Sequence, residues 1–197
     1  AIDAHTKALS IKPNFADAYN NMGNALRDKG SLDRAIEFYG KAVSIKPNLA
    51  EAYNNMGNAL RDKGKLDQAI KAYNNALTIK PENADVYRNL GFVLQNAIFR
   101  TPDKNLQNTI SSMLDKKTCV RPVNVSTAAI SLLKCEPSLR QQLKLVNDDP
   151  ESNLLNILEA INEFPLLMKL MSLCPIPDLE IEKFLRSLRK YILFHIS

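Results

Sequence analysis

Pro13, Pro47 and Pro81 stand 34 residues apart in the first half of this chain. The interval is not a property of proline alone. Residues 16–49, ADAYNNMGNALRDKGSLDRAIEFYGKAVSIKPNL, recur over residues 50–83 with roughly two-thirds of their letters unchanged. A unit of this length cannot bury its apolar face alone and must stack on its neighbour, and this period belongs to a helix–turn–helix solenoid.

The same interval aligns Tyr19, Tyr53 and Tyr87, then Met22, Met56 and Leu90, Gly23, Gly57 and Gly91, and Leu26, Leu60 and Leu94. In the second half of each unit it aligns Ala1, Ala35 and Ala69, then Ala8, Ala42 and Ala76, with Tyr39 and Tyr73 between them. This pattern resembles the tetratricopeptide repeat over residues 1 to about 96, with Tyr at the aromatic place where the family often has Trp. The resemblance implies an all-α fold: a right-handed solenoid of antiparallel helix pairs, followed here by an irregular helical C-terminal region. Residues 1–96 are expected to hold a partial repeat, two full repeats and a final front helix, and residues 97–197 a helical connector domain. Ala1 already falls inside the second helix of a repeat, so the chain is expected to be cut from a longer array.

Local signals place the helix ends. Asn14 lies three residues before Asp17, and Asn48 three before Glu51, the spacing of a capping box. Gly30 and Gly64 are placed to end the front helices in the left-handed conformation. Gly23, Gly57 and Gly91 fall inside helices, where glycine costs ~1 kcal/mol relative to alanine, so packing must require them. In the resembled family this place, with the alanine at Ala35 or Ala69, lets the paired helices approach closely.

On each front helix Tyr19, Met22 and Leu26 form an apolar stripe at helical spacing. Asn20, Asn24, Arg27 and Asp28 fall on the other face with Asn21 at its edge, and Asn54, Asn55, Asn58, Arg61 and Asp62 repeat them. Arg88 and Asn89 carry the pattern into the third unit, where Arg88 is expected to add a cation deep in the groove. In tetratricopeptide arrays this face lines the concave groove. An amide side chain offers two donors and an acceptor, so a ladder of amides can hold a peptide backbone without reading its side chains. The motif AYNNMGN is similar to the repeat region of the eukaryotic O-GlcNAc transferase family. The expected partner is therefore a protein or an extended peptide bound through Asn20, Asn21, Asn24, Arg27, Asn54, Asn55, Asn58, Arg61, Arg88 and Asn89. The blander alternative is that these asparagines only cap and solvate an exposed face. Acidic residues at Asp17, Glu51 and Asp85 disfavour a clamp for a C-terminal carboxylate.

Asp103 takes the place of the next repeat alanine, and Phe99-Arg100-Thr101-Pro102 replaces the turn, so the array ends here. Beyond it helices are expected up to Asp115, over Val125 to Leu133, Leu139 to Val146 and Leu154 to Ile161, and after Asp178 as a cap. Phe164 to Leu173 is apolar all round and is expected at the centre. The stretches FRTPDKNLQNTISSMLDKK, VRPVNVSTAAISLLK and FPLLMKLMSLCPIPDLEIEKFLRSLRKYIL look like the connector between tetratricopeptide repeats and an S-adenosylmethionine-dependent methyltransferase domain in large bacterial proteins. That likeness implies an enzymatic neighbour and covers residues 99–197.

Chemistry within the chain itself is not expected. All six glycines belong to the repeats, which leaves no glycine-rich loop to cradle a nucleotide-like cofactor, and no cofactor is assigned. His5 and His195 lack companions at ligand spacing, so no metal site is assigned either. Cys119, Cys135 and Cys174 are expected as reduced thiols. The net charge of +5 is spread among acidic residues along nearly every helix, against a nucleic-acid face. No apolar run approaches the ~20 residues that span a bilayer, so no membrane is expected and the setting is taken as cytosolic. A competing possibility is self-association through the exposed repeat edge at Ala1 and the apolar end near Ile196.

Overall fold

The computed structural model describes residues 14–95, 97–116, 120–148, 163–176 and 178–186, and among these the regular secondary structure is entirely helical. The chain divides between Val93 and Leu94 into two compact units. The expected helix before Pro13, the helix at Leu154–Ile161, the apolar end at Tyr191–Ile196, both histidines and Cys119 lie outside the described residues.

The first unit runs through α1 (Ala16–Asp28), α2 (Leu32–Ile45), α3 (Ala50–Asp62), α4 (Leu66–Ile79) and α5 (Ala84–Leu94). The front helices α1 and α3 stop where the sequence places glycine. Gly30 and Gly64 have φ of +75° and +76°, a conformation that residues with a Cβ resist. The amides of Ser31 and Lys65 then reach back to Leu26 O and Leu60 O, both at 2.9 Å, closing the last turn.

The starts differ from the expectation. Phe15 and Leu49 occupy the N-cap places of α1 and α3 without a side-chain cap, so Asn14 and Asn48 lie one residue too early to act. Only in the third unit does an asparagine reach that place: Asn83 Oδ1 accepts from the amides of Asp85 and Val86. Asp17, Glu51 and Asp85 do lie in the first turns, where the helix dipole favours them.

α1 packs on α2, α3 on α4, and α2 on α3, so each hairpin covers the next. Met22, Leu26, Ala35, Tyr39 and Ala59 form one buried cluster that draws on both hairpins. The helix-interior glycines serve a ring rather than an alanine. A Cβ on Gly23 would lie 2.5 Å from Tyr39 Cε1, and one on Gly57 would lie 2.6 Å from Tyr73 Cε1. Both tyrosines are fully buried.

The second unit contains α6 (Lys104–Asp115), α7 (Pro122–Leu133), α8 (Pro137–Asp148), α9 (Pro165–Leu173) and a helical segment over residues 179–186, α10. Asp103 caps α6 through the Leu106 amide at 3.0 Å, and Asp178 caps α10 through the amides of Glu180 and Ile181. α6, α7 and α9 pack on one another. The most enclosed of them is α7, whose Val125, Ala128, Ala129, Leu132 and Leu133 are all buried. That corrects the expectation for α9, which buries Leu166, Leu167 and Leu170 but leaves Met168 and Leu173 exposed. Its Lys169 Nζ bonds to Ser111 Oγ and Asp115 Oδ2 at 2.9 and 2.7 Å. Cys135 is buried and Cys174 half-buried, both as free thiols.

Candidate functional site

Helical spacing puts Asn20, Asn24 and Arg27 on one side of α1, and Asn54, Asn58 and Arg61 on one side of α3. The structure divides this set into two groups with different tasks.

The first group ties hairpin to hairpin. Asn20 is 3% exposed; its Nδ2 donates to Glu51 Oε1, and its Oδ1 accepts from Asn55 Nδ2, each at 3.1 Å. One repeat later Asn89 Nδ2 donates to Asn54 Oδ1 at 3.1 Å. Asn20 is therefore not a trough residue. Docking of the second hairpin encloses it, and burial of an amide is tolerable because both ends are bonded. Asn54, Asn55 and Asn89 are half-buried and partly committed to the same contacts. Asn21 is exposed. Arg88 is not deep: it is exposed and bonds to Asp85 Oδ1 of its own helix at 2.9 Å.

The second group is held from below by phenols. Tyr39 Oη donates to Asn24 Oδ1 at 2.7 Å, and Tyr73 Oη donates to Asn58 Oδ1 at 2.9 Å. With the phenol as donor, the carbonyl end of each amide faces the ring and the NH2 end is turned away from it. Among the described residues no acceptor takes the Nδ2 hydrogens of Asn24 or Asn58. Both amides are half-buried, with the oxygen tied inward.

The surrounding charges are local. Arg61 Nη2 pairs with Asp62 Oδ1 at 2.8 Å, and Arg27 Nη2 lies 3.8 Å from Asp28 Oδ1. Burial pushes both phenols up to about 12; Arg27, Asp28 and Glu51 also act on Tyr39, and Arg61, Asp62 and Arg27 on Tyr73.

Sequence reasoning missed a member of this surface. Phe92 on α5 is 69% exposed, and the guanidinium of Arg61 lies 5.8 Å from its ring centroid. It falls 34 residues after Asn58, as Asn58 does after Asn24, so the interval carried the signal. The second unit has a cleft of about 650 Å³ floored by Phe99, Ile130, Cys135 and Leu143. Its Lys134 is engaged by Asp178 and Glu180 at 3.1 and 2.6 Å, and Asp178 also caps α10. Among the described residues no group of His, Cys, Asp and Glu suits a metal ion, and no helix is long and apolar enough to cross a membrane.

Comparison with known proteins agrees with the periodicity. Residues 23–60 and 57–97 match the family described as TPR repeat, and residues 6–37 match that described as tetratricopeptide repeat. A stretch of 38 residues is 50% identical to the probable UDP-N-acetylglucosamine–peptide N-acetylglucosaminyltransferase SEC of Arabidopsis thaliana; it is 19% of this chain and 4% of that protein. The crystal structure of MamA is similar with a TM-score of 0.46 and 19% identity, over 98% of this chain and 89% of that one. The structure of YrrB, titled a TPR protein with an unusual peptide-binding site, is similar with a TM-score of 0.46 and 22% identity, over 87% of this chain and 98% of that one. Residues 6–97, somewhat under half of this chain, are thus matched by tetratricopeptide-repeat family models.

Proposed function

We propose that the repeat unit is a protein-interaction module that holds an extended peptide segment of a partner through Asn24 and Asn58, with Arg27, Arg61 and the exposed Asn21 beside them. The observation that supports this is the pair of phenol-to-amide bonds at 2.7 and 2.9 Å. A solvated asparagine needs no such fixing, since water donates to its carbonyl oxygen and accepts from its NH2 in either orientation. An amide turned to present donors alone suits peptide carbonyls, which an extended backbone offers on both sides. Asn20 and Asn54, joined to the neighbouring repeat, support the scaffold instead.

The test is an array of random-sequence 12-residue peptides probed with the labelled chain, the bound peptides then being measured by fluorescence anisotropy. The N24A/N58A protein should bind every one of them at least about tenfold more weakly, as the loss of two hydrogen bonds implies. Unchanged affinities reject the proposal. The Y39F/Y73F protein, whose amides are free to flip, should lie between the two.

The recruiting of a substrate to a larger enzyme is a further step of the same proposal. The short match to a peptide N-acetylglucosaminyltransferase favours a glycosyltransferase setting, whereas a methyltransferase rests on the connector residues 99–197 alone. Sequencing of the gene beyond Ser197 decides between them. Self-association through the repeat ends predicts oligomers in light scattering across a dilution series, and a monomer at every concentration counts against it.

A further inference from the structure

The column that begins with Asn24 and Asn58 ends on a phenylalanine. Each of the two asparagines is steered by a tyrosine hydroxyl. The place that would supply a third tyrosine, 34 residues after Tyr73, is Gln107. Gln107 is buried, and its Nε2 donates to Glu136 Oε1 at 2.7 Å. An asparagine at position 92 would have no phenol from its own repeat to decide which end of its amide faced outward. Phe92 offers neither donor nor acceptor, only an apolar ring 69% exposed with a guanidinium on it. That guanidinium is itself fixed, Arg61 Nε and Nη2 both donating to Asp62 Oδ1 at 3.1 and 2.8 Å. The ring is thus braced by a cation whose charge is already answered.

We propose that Phe92 is the specificity element of this trough: it receives one aromatic or large aliphatic side chain of the peptide whose backbone carbonyls Asn24 and Asn58 hold, an inference that rests on the proposed function. Helices packed on one another stand roughly 8–10 Å apart and an extended chain advances about 3.3 Å per residue, so a rung of that spacing corresponds to about three residues. The selected side chain therefore lies about three residues from the carbonyl bound at Asn58. An acidic side chain at that place gains little, because Asp62 already occupies the Arg61 fork.

The experiment uses a positional-scanning library of fluorescein-labelled, C-amidated 12-residue peptides, one place fixed in each pool, titrated against the whole chain. The wild-type protein should favour Phe, Tyr, Leu or Met at one place by about tenfold, the scale of a single aromatic contact. F92N, whose fold is checked by circular dichroism, should still bind while losing that preference. N24A/N58A should lose affinity for all pools. An unchanged preference in F92N overturns the assignment. So does a wild-type protein that binds all pools alike through its amides, a result that leaves peptide holding intact. Binding to none of the pools removes both proposals together.

Discussion

Asn55 Nδ2 donates to Asn20 Oδ1 at 3.1 Å, joining two front helices whose sequences are near copies of each other. Asn89 and Asn54 repeat the bond one unit later. The two asparagine places of this motif thus have different roles across each junction: the first, at Asn20 and Asn54, accepts from the following unit, and the second, at Asn55 and Asn89, donates to the preceding one. Because the bonded partners are offset by 35 residues rather than 34, the pairing fixes how far successive hairpins slide past one another.

It follows that Asn20 and Asn21, adjacent in sequence, should respond differently to truncation. N20A takes the acceptor from the half-buried Asn55 amide and a donor from the exposed Glu51, and should cost about 1 kcal/mol in urea unfolding. N21A removes an exposed side chain and should stay within about 0.5 kcal/mol. Equal effects would mean that the inter-repeat bonds contribute nothing.

Two helix-interior glycines make a second contrast. At Gly23 a Cβ meets the Tyr39 ring at 2.5 Å, whereas at Gly40, in the next helix, nothing lies within 4 Å. G23A should lower stability by about 1–3 kcal/mol despite alanine's better helix propensity. G40A should raise it by about 0.5–1 kcal/mol. Thermal unfolding of both variants checks the pair, and a stabilised G23A would show that the ring moves aside at no cost.

The period, the turn glycines and the apolar stripe were legible because each follows from local rules: helical spacing for Met22 and Leu26, positive φ for Gly30 and Gly64. The burial of Asn20 was not legible. On a lone helix it lies four residues from Asn24 on the same face, and only the arrival of the second hairpin separates the enclosed amide from the open one. Phe92 stood in the interval all along, but an exposed ring looks like core until the fold shows which face is covered. The reach of Tyr39 to Asn24 was hidden for the same reason, since the two lie fifteen positions apart with a turn between them.

The helix starts provide a third test, because the structure moves the caps away from where spacing put them. N83A removes an acceptor for two backbone amides and should cost about 1 kcal/mol. D103A and D178A should do the same in the second unit. N48A should change the urea midpoint little, since Leu49 holds the N-cap place and no side-chain cap is made there. A loss at Asn48 as large as at Asn83 would restore the capping box that its spacing suggests.

Alkali tests the phenols themselves. Burial above all raises the Tyr39 and Tyr73 hydroxyls from the usual 10.0 to about 12, and each proton is spent on an asparagine oxygen. Ionisation would set a phenolate against a carbonyl inside the hairpin, two acceptors with no proton between them. The folded chain therefore binds these protons more tightly than the unfolded one. Their contribution to stability is whole below about pH 10 and falls away as the pH climbs to about 12. The wild-type urea midpoint should drop across that window, together with a late rise in phenolate absorbance. Y39F/Y73F should begin less stable near neutrality by about 1 kcal/mol per hydroxyl, yet lose less of its stability between pH 10 and 12 and lack the late absorbance. Parallel declines in the two proteins would show that these hydroxyls ionise as freely as any on the surface, and the fixed orientation of Asn24 and Asn58 would lose its support.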